Sequence, residues 1–71
     1  MEIQPLRVEI DRETDGRVLA SVPELPGVMA YGATAEEAKA RTAALALRVI
    51  ADRIEHGEPA PAEAVALFAV A

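Results

Sequence analysis

Few side chains in this sequence could perform catalysis, since the 71 residues contain one histidine and no cysteine. A nucleophilic serine needs a base within hydrogen-bonding reach. Ser21 is predicted to lie in a strand, whereas His56 lies at the far end of the helix that follows the sheet. A helix C-terminus also favours a partly charged imidazole. We therefore interpret His56 as a helix-end residue and Ser21 as a strand residue that faces water.

Three acidic residues are the other candidates for chemistry. Glu9, Asp11 and Asp52 could form the kind of carboxylate cluster with which nucleases hold two metal ions. Glu9 and Asp11, however, alternate with apolar residues, as on the wet face of a strand. Asp52 is adjacent to Arg53 near the predicted end of the helix. Solvated charge explains all three, so the sequence predicts no enzyme, no metal site and no cofactor.

Length and charge restrict the possible functions. The chain is long enough for one domain, spanning residues 1–71, and without cysteine it lacks disulfides and thiolate zinc sites. Oligomerisation or a partner is the remaining way to stabilise it. The net charge of −5 would repel a phosphate backbone, so direct nucleic-acid binding is not expected. With no leader pattern and no apolar run of about 18 residues, we expect a cytoplasmic protein with no membrane contact.

Three strands are predicted in the first half of the chain. Residues 6–11 alternate apolar and charged side chains, which is the period of a half-buried strand. The pair Asp15-Gly16 predicts a tight hairpin turn, so residues 18–22 should lie antiparallel to the first strand. The pair Pro26-Gly27 suits a type II turn. A third strand is expected at residues 28–32.

A long helix is predicted at residues 35–56. Thr34 is its expected N-cap, and Glu37, three residues later, completes a capping box. His56 and Gly57 are expected to end it. Its apolar residues are predicted to lie on the side of the helix that covers one face of the sheet: Ala38, Ala43, Leu45, Ala46, Val49, Ile50 and Ile54.

The last apolar run is predicted to form a fourth strand. Residues 65–70 follow the stiff segment 58–61 and contain no polar residue. The competing interpretation makes residues 62–71 a helix, because alanine is abundant there. If residues 65–70 form a strand, the fold is α+β with the order β-β-β-α-β. It then has one small mixed sheet, covered on one face by a single long helix. We expect the last strand beside the first and parallel to it.

The chain resembles a known family over residues 5–70. The ordered residues that carry the resemblance are Asp15-Gly16, Ala20, Val22-Pro23-Glu24-Leu25-Pro26-Gly27, Ala30, Gly32, Thr34 and Glu36-Glu37-Ala38. Their spacing is similar to the signature of HicB-type antitoxins. The resemblance implies a partial ribonuclease H-like fold without nuclease chemistry. It also implies an antitoxin that occludes HicA, a small basic toxin that cleaves messenger RNA, by covering its RNA-binding surface and catalytic histidine.

One departure from the family concerns DNA. HicB proteins often carry a C-terminal helix-turn-helix or ribbon-helix-helix segment that binds the operator, and a ribbon-helix-helix would need roughly 40 further residues after the fourth strand. From the sequence we expect no C-terminal DNA-binding domain. The alternative function, from a different class, is a homo-oligomeric protein-binding module with no toxin partner.

Candidate interface residues are predicted from the strand pattern. Leu19, Met29 and Tyr31 are expected on the sheet face opposite the helix, where they are equally consistent with an interface and with ordinary exposed apolar residues. Leu25 lies between two prolines and is either a core residue or a rigid anchor, and Glu24 is a candidate for an acidic rim around a basic partner. Apolar residues of the last run are predicted to form a homo-oligomer interface: Leu67, Phe68 and Val70.

Overall fold

A three-stranded antiparallel sheet forms one layer of the fold. The computed structural model describes residues 6–66, 68 and 70. Strands β1 (Glu9–Arg12), β2 (Val18–Ser21) and β3 (Met29–Gly32) lie side by side in chain order. Ala20 in the central strand is opposite Ile10 on one side and Ala30 on the other. The α+β layout is confirmed, with the three strands followed by a single long helix.

Both predicted turns form, and each depends on a glycine with positive φ. In the β1–β2 hairpin Gly16 has φ 93°, and the Glu13 amide donates to the Arg17 carbonyl at 2.8 Å. Before β3, Gly27 has φ 88°, and the Val28 amide donates to the Leu25 carbonyl at 3.0 Å. These values suit glycine and strain any other residue. The Asp-Gly and Pro-Gly pairs therefore fix where the strands end.

Helix α1 (Ala35–Glu55) has a specific signal at each end. The Thr34 hydroxyl accepts from the Glu37 amide at 3.1 Å, as predicted. The Glu37 carboxylate contacts Arg41 at 2.8 Å, so an ion pair takes the place of the second half of the capping box. At the other end Gly57 has φ 69°, and its amide donates to the Ile54 carbonyl at 3.2 Å, the geometry of a Schellman cap.

Small residues bring α1 close to the sheet. A Cβ atom built on Gly32 would lie 2.5 Å from the Ala38 amide nitrogen, which is closer than any real side chain sits. Thr42 is fully buried, and its hydroxyl donates to the Ala20 carbonyl of the central strand at 3.0 Å. The apolar core between helix and sheet is made of eight buried residues: Val18, Ala20, Val22, Leu25, Val28, Ala38, Ala46 and Ile50.

The predicted inner face of α1 is partly wrong. Ala38, Ala46 and Ile50 are buried as expected, but Ala43 and Ile54 are exposed. The buried residues of α1 follow one another at intervals of four: Ala38, Thr42, Ala46 and Ile50. The prediction considered apolar residues only and so missed Thr42. This polar residue can be buried because its hydroxyl donates to the Ala20 carbonyl of the sheet.

The predicted fourth strand is wrong where the structure describes it. Residues Ala62–Val65 form a short helix, α2, and Ala66 lies in a turn after it. Phe68 and Val70 are exposed and belong to no strand, whereas Leu67 lies outside the described residues. The sheet of the described residues is accordingly antiparallel and not mixed. Alanine has the highest helix propensity, and the competing interpretation of a helix over residues 62–71 is met at Ala62–Val65 alone among the described residues.

Candidate protein-binding face

The sheet has an outer face that no element of the described chain covers. The register places Leu19 between Asp11 and Tyr31, and Ser21 between Glu9 and Met29. Residues directly opposite each other share one face of a sheet. We call this set of six the outer face: Glu9, Asp11, Leu19, Ser21, Met29 and Tyr31. Its apolar members lie toward β3 and its two carboxylates along β1, as the sequence predicted.

Tyr31 is the largest side chain of the outer face and is held from two sides. The Arg17 guanidinium lies 4.4 Å from the centre of its ring, a cation–π geometry. Arg17 is itself fixed by Asp15, at 2.7 Å from Nε to Oδ2. The Arg17 amide also donates to Asp15, and this bond is the main reason that the pKa of Asp15 is lowered. The hairpin turn thus orients the tyrosine, a link that strand patterning could not reveal.

Arg41 fixes the backbone beneath the same tyrosine. Its Nη1 donates to the Tyr31 carbonyl at 3.1 Å, and its Nη2 contacts Glu37 at 2.8 Å. At the end of the β2–β3 pairing the Val22 amide donates to the Val28 carbonyl. In an antiparallel pair of strands, opposite residues that are hydrogen-bonded to each other alternate with opposite residues that are not. The polar backbone groups of Met29 and Tyr31 therefore point away from β2. One of these groups is the Tyr31 carbonyl, and Arg41 binds it at the edge of the sheet formed by β3.

The carboxylates of the outer face differ from the predicted rim residue Glu24. Within the described residues, neither Glu9 nor Asp11 forms an ion pair. Glu24 accepts from Arg7 Nε at 3.0 Å, and this hydrogen bond is the main cause that lowers the pKa of Glu24. Arg7 thus balances part of the charge of Glu24, which stays exposed and remains a predicted rim residue. Glu9 and Asp11 are two further accessible carboxylates on the outer face.

Leu25 is not an interface residue. Its side chain is 0% exposed and packs in the core with Val22, Val28 and Ile50. The prediction that Leu25 contacts a partner is therefore corrected, and the core interpretation holds. Two backbone hydrogen bonds hold the loop in this position: the Leu25 amide donates to the Val22 carbonyl, and the Val28 amide donates to the Leu25 carbonyl, both at 3.0 Å.

The residues that could have done chemistry fall into two groups, one on the outer face and one at the end of α1. Ser21 and the two carboxylates of β1 lie on the outer face, whereas Asp52 lies on α1. The Nδ1 atom of His56 lies 2.7 Å from the Asp52 carbonyl oxygen, which places the ring at the helix end. Among the described residues, no three acidic or histidine side chains come together as a metal-binding group. No helix in the described range combines the length and apolar composition needed to cross a membrane.

A second apolar surface lies on the other side of the molecule, between α1 and α2. It is a groove of about 370 Å³ whose lining includes Leu47, Ile54, Val65 and Phe68. Phe68 was predicted as an oligomer residue together with Leu67 and Val70. Phe68 and Val70 are exposed, and Leu67 is outside the described residues. Leu47 was not singled out from the sequence, although its spacing from Ile54 of two helical turns could have identified it.

Comparison with known proteins adds no relative. No family model, no curated protein and no solved structure matches the chain. The two apolar surfaces are therefore the main structural clues to its function.

Proposed function

We propose that this chain is a cytoplasmic antitoxin that binds a small basic HicA-type toxin and blocks its cleavage of messenger RNA. The observation that carries the proposal is the outer face. It combines exposed Met29 and Tyr31 with half-buried Leu19 and the carboxylates of Glu9 and Asp11. The sequence resemblance to HicB-type antitoxins supports the same function.

The physical character of the outer face suits a protein partner. Large apolar side chains contribute binding energy when a partner excludes water from them, and tyrosine is enriched among such anchors. Tyr31 is 40% exposed, and Arg17 and Arg41 hold its ring and backbone before any partner arrives. A pre-ordered anchor loses little conformational entropy on binding. Tyr31 is thus the best single anchor for the toxin.

The charge of the chain suits a basic partner. The net charge of −5 favours rapid association with a positively charged protein, particularly at low salt. Glu9 and Asp11 would lie at the rim of the contact, next to the apolar strip. Inhibition would be stoichiometric, because the chain acts by covering the toxin's RNA-binding surface.

The test measures RNA cleavage by a HicA-type toxin in the presence of increasing amounts of the chain. We expect full inhibition near equal amounts of the two proteins. The Tyr31→Ala variant should bind about thirtyfold more weakly. Ile10→Ala is the matched control, because Ile10 is equally exposed, at 40%, but points to the other face of the sheet. If Tyr31→Ala and Met29→Ala inhibit as well as the wild type, the outer face is not the interface.

A charge variant separates the acidic rim from the apolar anchor. Asp11→Lys should slow association and weaken its dependence on salt, because it replaces an attraction with a repulsion. Glu58→Lys makes the same change in net charge on an exposed residue after α1 and serves as its control. Equal association rates for the two variants would show that only net charge matters and that the rim is not at the contact.

The second candidate function is the homo-oligomeric module without a toxin. The observation that favours it is the apolar groove between α1 and α2, which lies away from the outer face. The neighbourhood of the gene discriminates between the two functions. A short adjacent reading frame for a basic protein with one histidine supports the antitoxin, and its absence supports the module.

A further inference from the structure

Helix α1 carries a second apolar stripe that faces away from the core. Its members are Ala40, Ala44, Leu47, Ala51 and Ile54, at successive spacings of four, three, four and three residues. All five are exposed, Leu47 at 62% and Ile54 at 52%. We call this set the α1 stripe. A regular 3.5-residue repeat is the pattern with which one helix packs along another.

The α1 stripe also forms one wall of the apolar groove. Leu47, Ala51 and Ile54 line it from α1, and Ala64 and Val65 line it from α2. Exposed apolar residues gathered in one groove mark an interaction site more often than scattered ones do. The stripe therefore coincides with the groove from Leu47 to Ile54, in the C-terminal half of α1.

We infer that a second copy of this chain covers the α1 stripe, so that the protein is a two-fold symmetric dimer with its two long helices antiparallel. The partner must bring a helix with a matching repeat. Among the described residues, α1 is the one helix longer than a single turn, and it carries such a repeat itself. A two-fold interface uses the same surface on both subunits.

Packing favours the antiparallel arrangement over the parallel one. When the helices align with Leu47 opposite Ala51 of the partner subunit, Ala44 is opposite Ile54 of the partner subunit. Each of the four layers then pairs one alanine with one large residue, so the thickness of the interface is uniform. A parallel arrangement in register would place alanine against alanine in three layers, at Ala40, Ala44 and Ala51, and leave gaps there.

Charge on one flank of the stripe agrees with this arrangement. Arg41 and Glu55 lie on the same side of the helix, two heptads apart. The antiparallel alignment brings each Arg41 near Glu55 of the partner subunit. Arg41 already contacts Glu37 and Tyr31, but a guanidinium has five N–H donors and can bind a further carboxylate. The like charges of the two Arg48 residues approach at the two-fold axis.

The length and composition of the chain also favour association. It has 71 residues and no cysteine. Small domains without disulfides or metals commonly gain stability by association.

The test is the mass of the purified chain in sedimentation equilibrium up to millimolar concentration. We expect twice the chain mass of 7.5 kDa. Leu47→Glu and Ile54→Glu should each weaken the dimer at least about a hundredfold, with circular dichroism unchanged because both residues are exposed. Met29→Glu is the matched control, since Met29 is 49% exposed on the outer face, and it should leave the dimer intact.

Charge variants test the direction of the helices. Glu55→Arg should weaken the dimer about threefold, whereas Glu58→Arg should not. Arg48→Gln should strengthen it by removing the repulsion at the axis. Equal affinities for Glu55→Arg and Glu58→Arg would overturn the antiparallel arrangement.

Three results would overturn the dimer itself. These are a wild-type monomer at millimolar concentration, a dimer that survives both Leu47→Glu and Ile54→Glu, and a dimer that Met29→Glu dissociates. The inference does not depend on the toxin proposal, because Leu47→Glu should still inhibit a HicA-type toxin through the outer face. Loss of mass and loss of inhibition therefore report on different surfaces.

Discussion

The two faces of strand β3 are built from side chains of opposite size. Its inner face presents Ala30 and Gly32, and a Cβ atom on Gly32 would overlap the backbone of α1. The outer face presents Met29 and Tyr31, with no element of the described chain above them. Small residues therefore lie where a neighbour is present, and large ones where it is absent.

This difference shows how a short chain can divide its apolar residues between folding and binding. A close approach between helix and sheet needs small residues at the contact, and in β3 the larger side chains, Met29 and Tyr31, point the other way. Their alternation follows from the strand period. Substitutions on the inner face should therefore change stability, and substitutions on the outer face should mainly change binding.

The largest expected effect is that of Gly32→Ala on the inner face. The added methyl group would lie 2.5 Å from the Ala38 nitrogen, so the helix must shift, and we expect a loss of about 3 kcal/mol in unfolding free energy. Denaturant unfolding measures it. Ser21→Thr adds a methyl group on the outer face and should change stability by less than about 0.5 kcal/mol. Similar losses for both variants would contradict the proposed difference between the faces.

Thr42→Val tests the buried hydrogen bond between helix and sheet. The variant keeps the shape but removes the hydroxyl that donates to Ala20, and we expect it to destabilise the chain by about 1 kcal/mol. Thr42→Ser keeps the donor and loses a methyl group, so it separates the hydrogen bond from packing. A valine variant as stable as the wild type would show that Ala20 is satisfied by the sheet alone.

Tyr31→Ala tests the outer face by the same measurement. Because Tyr31 is 40% exposed and Arg17 stacks on its ring, removal of the ring should cost less than about 1 kcal/mol of stability. The same variant is expected to bind the toxin far more weakly. A large loss of stability would mean that Tyr31 belongs to the fold, and the contrast between the faces would fail.

The smallest effect concerns the Arg7–Glu24 ion pair beside the first strand. The hydrogen bond from Arg7 lowers the pKa of Glu24 below its usual value of 4.5. Such a carboxyl stabilises the fold above its usual pKa, and the contribution is lost as the pH falls through the lower folded value. Arg7→Ala should move the Glu24 titration, followed by NMR, back toward 4.5, while Arg12→Ala should leave it unchanged. A titration that Arg7→Ala does not move would contradict the pairing.

Local signals in the sequence were enough to predict most of the fold. Asp15-Gly16, Pro26-Gly27 and the Thr34 cap each act over a few residues, so the strands and α1 could be placed from their spacing alone. The run at 65–70 could not, because an apolar segment of that length is compatible with strand and helix. Whether it pairs depends on the tertiary environment, which the sequence pattern does not contain.

The candidate site was predictable in part, for the same reason. Strand alternation was sufficient to place Leu19, Met29 and Tyr31 on one face. Contacts between residues distant in sequence were not predictable. Leu25, which the prediction placed at the interface, packs in the core against α1, and Glu24 forms an ion pair with Arg7, 17 residues earlier, that the sequence did not reveal.

The order of the strands in space is also their order in the chain, and this has a consequence for how fast the fold forms. Each strand meets its neighbour through a short turn, and the hydrogen bond that joins helix to sheet spans only 22 residues. Chains whose native contacts are close in sequence lose little loop entropy before the contacts form, and they fold within about milliseconds. We therefore expect a single fast kinetic phase in which the hairpins and the first turns of α1 come together before the C-terminal segment settles.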